Sequence, residues 1–163
     1  MKASVHLPAS NPHWPMSAWA GQFQAVINDK PFVANRIMGR SCWRSELRGT
    51  PRRRIWKILA SGHVARQGTS IGFYIDQTLT PGTYNLVDNF DISVVYHLTP
   101  RQVARVYHSR HLQMGSLALL QCDQESRRLR GTFDFGMSSI KFHVTAGTFD
   151  LPWIDDPLDG SAQ

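Results

Sequence analysis

The residues best suited to chemistry are arginines that recur at every fourth position from residue 36 onward. On a strand this spacing puts the side chains on one face, and on a helix it forms one stripe, so either structure displays the charges together. Three consecutive arginines and two interleaved tryptophans extend the tract, against the single acid Glu46. The predicted binding residues are Arg36, Arg40, Arg44, Arg48, Arg52, Arg53, Arg54, Trp43 and Trp56. Because arginine makes planar, bidentate contacts with phosphate or carboxylate, the tract indicates a surface for an acidic partner.

Several partners fit this tract equally well at the level of sequence. Nucleic acid, an acidic protein and a small anion all carry the negative charge that a basic surface attracts. The alternative is structural, because solvated basic side chains also deter strand edges from pairing. The formal net charge is +6, yet the C-terminal end reverses sign. Its acids are Asp150, Asp155, Asp156 and Asp159.

Histidine and cysteine give weaker signals. His108 and His111 are three residues apart and His97 lies upstream, but no third ligand at a recognised spacing completes a metal site. Cys42 and Cys122 lie far apart in the chain, so two free thiols are predicted, and a disulfide would need an oxidising compartment. The sequence therefore predicts no metal and no cofactor.

Signals for catalysis are missing from the sequence. There is no G-x-S-x-G elbow and no glycine-rich phosphate loop, and Asp134 and Asp150 read as strand residues that face water. We therefore predict a non-enzymatic binding protein, which holds either a small ligand inside a β-barrel or an acidic partner at the arginine tract. The alternatives are a nucleic-acid-associated accessory protein and an immunity or inhibitor protein that neutralises an acidic target. Some of the five tryptophans could line a ligand cavity.

The elements that must position these residues are strands. Apolar residues alternate with polar ones in QFQAVIN (22–28) and SIGFYIDQTL (70–79), and β-branched or aromatic residues fill ISVVYHL (92–98). Turn residues separate these runs, and no alternation of strands with helices appears. The sequence predicts an all-β, antiparallel barrel or closed sandwich of about eight to ten strands. One short helix is predicted near 99–112, where Thr99 and Pro100 resemble a helix start.

The tetrapeptide GTFD occurs twice in GTFDFGMSSIKFHVTAGTFD (131–150), and GTYN at 82–85 is a near copy. We interpret the repeat as a pattern that recurs where strands begin, and not as a catalytic motif. In this pattern glycine permits close approach of a neighbouring strand, the aromatic residue enters the core and Asp or Asn faces water. Apolar residues occupy even positions in 140–145 but odd positions from Phe149 onward. A strand cannot change faces without an extra residue, so a β-bulge is predicted at Gly147.

A chain of 163 residues suits one domain. We predict an extended arm over residues 1–18, a β domain over 19–153 and an acidic tail over 154–163. Residues 1–20 hold no uninterrupted apolar segment, and no apolar run approaches a membrane span. The expectation is a cytoplasmic protein, or an extracytoplasmic one whose leader has been removed. A long arginine-lined edge strand could pair with its own copy, so a dimer is possible.

An ordered set of motifs carries a family resemblance. These are FQAVINDKPFVA, PGTYNL, GSLALLQCD, RLRGTFDFGM and VTAGTFDLPW, across residues 21–153. The set resembles a bacterial lipocalin- or calycin-like β-domain family of uncharacterised function, whose members are often secreted or lipoprotein-like. The resemblance implies a lipocalin- or calycin-like fold but no catalytic or ligand-binding residues. Asp29 stands where the family pattern has a turn glycine.

Overall fold

The described residues form one sheet of eleven strands. The computed structural model of the protein describes residues 21–44, 53–99 and 105–157. The strands are β1 Gln22–Ile27, β2 Lys30–Arg44, β3 Arg53–Val64, β4 Gln67–Asp76, β5 Gly82–Asn85, β6 Ile92–Thr99, β7 Arg105–His108, β8 Met114–Asp123, β9 Arg128–Met137, β10 Phe142–Pro152 and β11 Ile154–Asp155. Their order is β5-β8-β9-β10-β1-β2-β3-β4-β6-β7, with β11 paired to β2. All pairings are antiparallel except β11 with β2. The all-β, antiparallel prediction is confirmed.

The sheet curls into a half-barrel around an aromatic core. Phe73 on β4 contacts Phe133 on β9 with ring centroids 4.8 Å apart, although these strands are distant in the sheet order. Phe135 and Phe149 also pack against Phe73. Contact between such distant strands requires that the sheet curl back on itself. The end strands β5 and β7 are not paired with each other in the described part of the chain.

The β1–β2 hairpin follows directly from its turn residues. Asn28 and Asp29 have φ values of 47° and 65°, which match the right-handed twist of the flanking strands in a two-residue turn. Asn and Asp tolerate this left-handed conformation better than most residues, so the family's turn glycine is not required here. Ile27 and Lys30 close the hairpin as opposed residues.

The GTFD repeat reflects register between neighbouring strands. Gly131 lies opposite Phe149, and Gly147 lies opposite Phe133, so each aromatic ring covers the glycine of the other copy. A Cβ atom added at Gly147 would lie 2.4 Å from the Phe133 ring, and one added at Gly131 would lie 2.5 Å from the Phe149 ring. Both glycines therefore provide space for a ring. The GTYN copy is strand β5 itself.

The predicted bulge is present, but its left-handed residue is Ala146 and not Gly147. The register with β9 shifts between Val144 and Gly147, and Ala146 has a φ of 48°. Thr145 and Ala146 are both exposed, after which burial resumes on the odd positions. The extra residue thus resets which side chains of β10 enter the core.

The helix predicted over 99–112 is not found in the described part of that range. Residues 105–108 form strand β7, which pairs with β6 and places Tyr107 opposite Tyr96. Ser109–His111 make a single 3-10 turn, and residues 100–104 lie outside the described part. Stacking of the Tyr107 ring on Tyr96 and Phe142 favours the strand over the short helical pattern.

Of the two terminal segments in the predicted domain division, the structure describes part of the C-terminal one only. The arm over 1–18 lies outside the described residues. The acidic tail was expected from residue 154, and Ile154 and Asp155 form strand β11 beside Arg40 and Ser41. No helix in the described residues has the length and apolar character to cross a membrane.

Candidate functional site

Three of the predicted arginines share one face of β2. On the neighbouring strand β3, their opposed residues are Ser61 for Arg36, Lys57 for Arg40 and Arg53 for Arg44. These β3 residues are therefore also four positions apart. Ile37 lies opposite Ala60, which is fully buried, so Ile37 is on the face of β2 that meets the core. The arginines occupy the alternate positions and therefore face outward. Arg48 and Arg52 lie outside the described residues.

The rest of the predicted set is divided between different environments. Arg53 and Arg54 are adjacent on β3 and therefore point to opposite faces. Trp56 is 1 % exposed and packs against Trp153 in the core, with ring centroids 6.3 Å apart. Trp43 is 38 % exposed, and the guanidinium of Arg54 lies 5.0 Å from its ring centroid. The structure thus brings Trp43 to the basic surface and leaves Trp56 out of it.

Part of the basic tract is neutralised by the chain's own aspartates. Arg53 Nη1 lies 3.2 Å from Asp76 Oδ2 and 3.1 Å from Asp91 Oδ1, and Arg40 lies 3.5 Å from Asp156. Asp76 is buried, which raises the pKa of its carboxyl, but hydrogen bonds from Thr78 and the contact with Arg53 bring the net pKa below its usual value. The Arg53–Asp76 contact is therefore structural.

A second ion-pair cluster surrounds Asp155, and we call it the arginine clamp: Arg54, Arg127, Ser41 and Gln77. Arg54 lies 3.3 Å from Asp155 Oδ1, and Arg127 lies 3.2 Å from Asp155 Oδ2, so each carboxylate oxygen meets a different guanidinium. Arg54 also donates to Ser41 Oγ at 2.8 Å, and Gln77 Nε2 donates to the same oxygen at 2.7 Å. The Arg127 guanidinium lies 5.3 Å from the ring centroid of Trp153. Apart from Asp155, Arg54 is therefore held by a hydrogen bond to Ser41, and Arg127 contacts the Trp153 ring.

A groove of about 600 Å³ lies between the end of β2 and the outer face of β3, β4, β6 and β7. It is lined by Cys42, Trp43, Arg44, Ile55, Lys57, Tyr74, Ser93, Val95, His108 and Asp156. Arg44 reaches across it and donates to the carbonyl oxygen of Phe90 at 3.2 Å and to Ser93 Oγ at 3.4 Å. We call this the basic groove.

Two cations of the basic groove have no carboxylate partner among the described residues. The contacts of Arg44 are the two uncharged oxygens of Phe90 and Ser93, and the Lys57 ammonium lies 5.5 Å from the ring centroid of Tyr74. Ile55 lies opposite Cys42 and shares its parity with the outward-facing Lys57, yet it is only 4 % exposed. The groove therefore combines positive charge with an apolar floor.

The remaining predicted sites lack partners or space in the described part of the chain. No group of three metal-ligating side chains occurs there, and His108 and His111 make a ring contact at 6.2 Å. Cys42 and Cys122 are both free thiols, and burial raises the pKa of the Cys122 thiol. Rings of Phe73, Phe133 and Phe149 pack against one another in the interior of the curled sheet.

The arginine-lined strand that the sequence suggested as a dimer edge is not an edge strand among the described residues. The arginine-lined strand β2 lies inside the sheet, between β1 and β3, with β11 beside its second half. The ends of the sheet order are β5 and β7, each of four residues. Self-pairing through β2 would require that its existing neighbours leave.

Sequence reasoning missed the clamp partners Arg127, Ser41 and Gln77. A signal was present, since the basic tract and the acidic C-terminal end have opposite charge and could meet. The chain matches no protein-family model, no curated protein and no solved structure. Membership of a lipocalin-like family accordingly stays a prediction that rests on the sequence motifs.

Proposed function

We propose that this protein is a non-enzymatic binding protein whose basic surface, the arginine clamp together with the basic groove, engages an acidic partner. The observation that carries the proposal is that Arg44 and Lys57 line a groove without a carboxylate partner among the described residues, while Arg40, Arg53 and Arg54 are paired within the chain. Asp156 also lines the groove but pairs with Arg40, so the charges of Arg44 and Lys57 favour a partner of complementary charge.

An acidic protein segment suits this surface better than nucleic acid does. Binding of a duplex or single strand draws on many cations that follow the phosphate backbone. Here Arg53 and Arg54 point to opposite faces, and three predicted arginines already meet aspartates. An immunity or inhibitor protein with an acidic target would use the same surface. The lipocalin-like family remains our proposal for its ancestry, and the ordered strand motifs and the curled sheet support it.

Fluorescence anisotropy with two labelled probes tests the proposal. The probes are an oligoglutamate peptide and a single-stranded oligonucleotide of equal charge. We expect the peptide to bind the wild-type chain and the double variant R44Q/K57Q to bind it at least tenfold more weakly, since each lost contact with a charged group costs about 1–2 kcal/mol. The matched control is R66Q/K30Q, which removes an arginine and a lysine that do not line the groove.

The result separates the alternatives. Peptide binding that the groove substitutions leave unchanged contradicts the proposal. Tighter binding of the oligonucleotide, with a steep loss in salt, would favour the nucleic-acid-associated alternative instead. Thermal denaturation of both double variants confirms that each is folded before the comparison is made.

A further inference from the structure

The chain's own C-terminal segment occupies the arginine clamp through few contacts. Strand β11 consists of Ile154 and Asp155, paired in parallel with Arg40 and Ser41 of β2. One further backbone bond joins the Asp156 N–H to the Ser41 carbonyl at 2.9 Å. The anchor is the preceding residue, Trp153, which is 2 % exposed. The described residues after Trp153 lie outside the buried core, and they are held by this short pairing and by the ion pairs of Asp155 and Asp156.

One side of the arginine clamp is anchored on a buried serine. Ser41 is 1 % exposed, and its hydroxyl oxygen accepts hydrogen bonds from both Arg54 and Gln77. The Asp155 side chain is 54 % exposed, compared with 34 % for Arg54 and 55 % for Arg127. Exposed ion pairs contribute little to stability. Two guanidinium groups that meet one exposed carboxylate, with one of them also bonded to a buried serine, form a site with the geometry to bind a carboxylate.

The edge of β2 beside the clamp can accept a strand. The described pairing of β1 with β2 covers Lys30 to Val33, so β1 does not occupy this edge at Arg40 and Ser41. The neighbour there is β11. Addition of an extended peptide to such an edge is a common recognition mode, in which backbone hydrogen bonds give affinity and side-chain pockets give specificity.

We propose that this edge of β2 and the arginine clamp form a binding site for an extended acidic peptide segment of another protein, which replaces β11 and places a carboxylate between Arg54 and Arg127. The inference rests on the proposed function and names its partner class. Asp156 lies one residue beyond the clamp, pairs with Arg40 at 3.5 Å and lines the basic groove, so a second acid of the peptide would be directed toward Arg40. The segment Ile154–Asp156 is then an internal competitor that resembles the ligand.

Internal competition sets the expected size of the effect. The apparent dissociation constant equals the intrinsic one divided by the fraction of molecules whose site is vacant. Removing one internal carboxylate raises that fraction, and we expect about a tenfold gain in peptide affinity if the site is vacant in roughly a tenth of wild-type molecules.

The test uses the full chain and a fluorescein-labelled peptide, Ile-Asp-Asp-Pro-Leu-Asp-Gly, which has the sequence of residues 154–160. Anisotropy titrations compare the wild type with D155N. A peptide with Asn in place of its first Asp serves as the ligand control. In the D155N background, R127Q should abolish the gain, whereas R130Q should leave it unchanged because Arg130 contacts Asp150 and not the clamp.

Each outcome decides between the two proposals. A tighter complex for D155N that depends on Arg127 and on the first Asp of the peptide supports the inference. If D155N binds this peptide no more tightly than wild type, while oligoglutamate still binds through Arg44 and Lys57, the inference is overturned and the proposed function stands. If neither acidic probe binds any form of the chain, both are overturned. Because Arg127 is on the surface, R127Q is expected to fold normally, and thermal denaturation verifies this.

Discussion

Position 147 requires glycine for a steric reason, which a substitution can test. A Cβ atom there would lie 2.4 Å from the Phe133 ring, and both residues are buried in neighbouring strands. We expect G147A to lower the free energy of unfolding by about 1–3 kcal/mol, as overpacking a core typically does. Urea denaturation measures the change. The control is G68A, whose added Cβ would have its nearest neighbour 3.9 Å away. Equal effects of the two substitutions would contradict the steric account.

Asp76 should make the free energy of unfolding depend on pH in the acidic range. Burial raises the pKa of its carboxyl, but hydrogen bonds from Thr78 and the contact with Arg53 lower it more, so the net pKa in the folded state is below the ordinary 3.8. A depressed pKa stabilises the fold above the ordinary value, and this contribution is lost as the pH falls through the folded-state pKa. We expect D76N to cost about 1–3 kcal/mol at neutral pH, since the bonds involve a charged group.

Urea denaturation at a series of pH values measures this dependence. The difference between wild type and D76N should be constant from neutral pH down to about pH 5 and should shrink below about pH 4. The control is D88N, because Asp88 is exposed and already has a left-handed φ of 54° that suits Asn. A difference that stays constant through the acidic range would show that the charge of Asp76 does not stabilise the fold.

At the scale of an element, the bulge in β10 decides which face of the strand enters the core. Deleting Ala146 would remove the extra residue and turn Phe149 and Leu151 toward water. Exposing each such side chain lowers the free energy of unfolding by about 1.5–3 kcal/mol, so we expect the deletion to unfold most or all of the protein. The substitution A146G keeps the residue count and suits the φ of 48°, so it should stay within about 1 kcal/mol of wild type. Circular dichroism distinguishes the two variants, and a folded deletion variant would refute the phase-reset role.

Strand elements were predictable wherever one face is buried. The alternation in 22–28 and the parity change after Val144 are local patterns, and both correspond to observed burial. The helix prediction for 99–112 was wrong in the described part of that range, because Tyr107 gains contacts with Tyr96 and Phe142 that no local pattern reports. Strand β11 was missed for the same reason, since its pairing with Arg40 and Ser41 joins distant parts of the chain.

The candidate site was predictable only in part. The fourth-residue spacing correctly placed Arg36, Arg40 and Arg44 on one face of β2. It could not show that Trp56 is in the core or that Arg54 faces Asp155, because both depend on how β3 sits between β2 and β4. A linear sequence reports which charges exist, whereas the fold decides which of them neutralise one another.

At the scale of the whole molecule, the interior of the half-barrel is a packed core. Phe73 is fully buried and contacts Phe133, Phe135 and Phe149, so its ring joins opposite sides of the curled sheet. We expect F73A to lower the free energy of unfolding by about 3–5 kcal/mol, because it removes apolar contacts and leaves a cavity. Such a cavity is lined by apolar rings, and it should stay dry and bind a small apolar probe such as benzene.

The matched control for F73A is F90A, since Phe90 is 89 % exposed and its truncation should change stability by no more than about 0.5 kcal/mol. Urea denaturation with and without benzene measures both effects, and benzene should stabilise F73A but neither wild type nor F90A. If wild type were stabilised to the same extent, a ligand space would already exist inside the sheet, and the lipocalin-like internal site would have to be preferred over the basic surface. The packing of the four rings therefore links the fold to the location of the binding site, because the benzene response of the wild type decides between an internal site and the proposed outer surface.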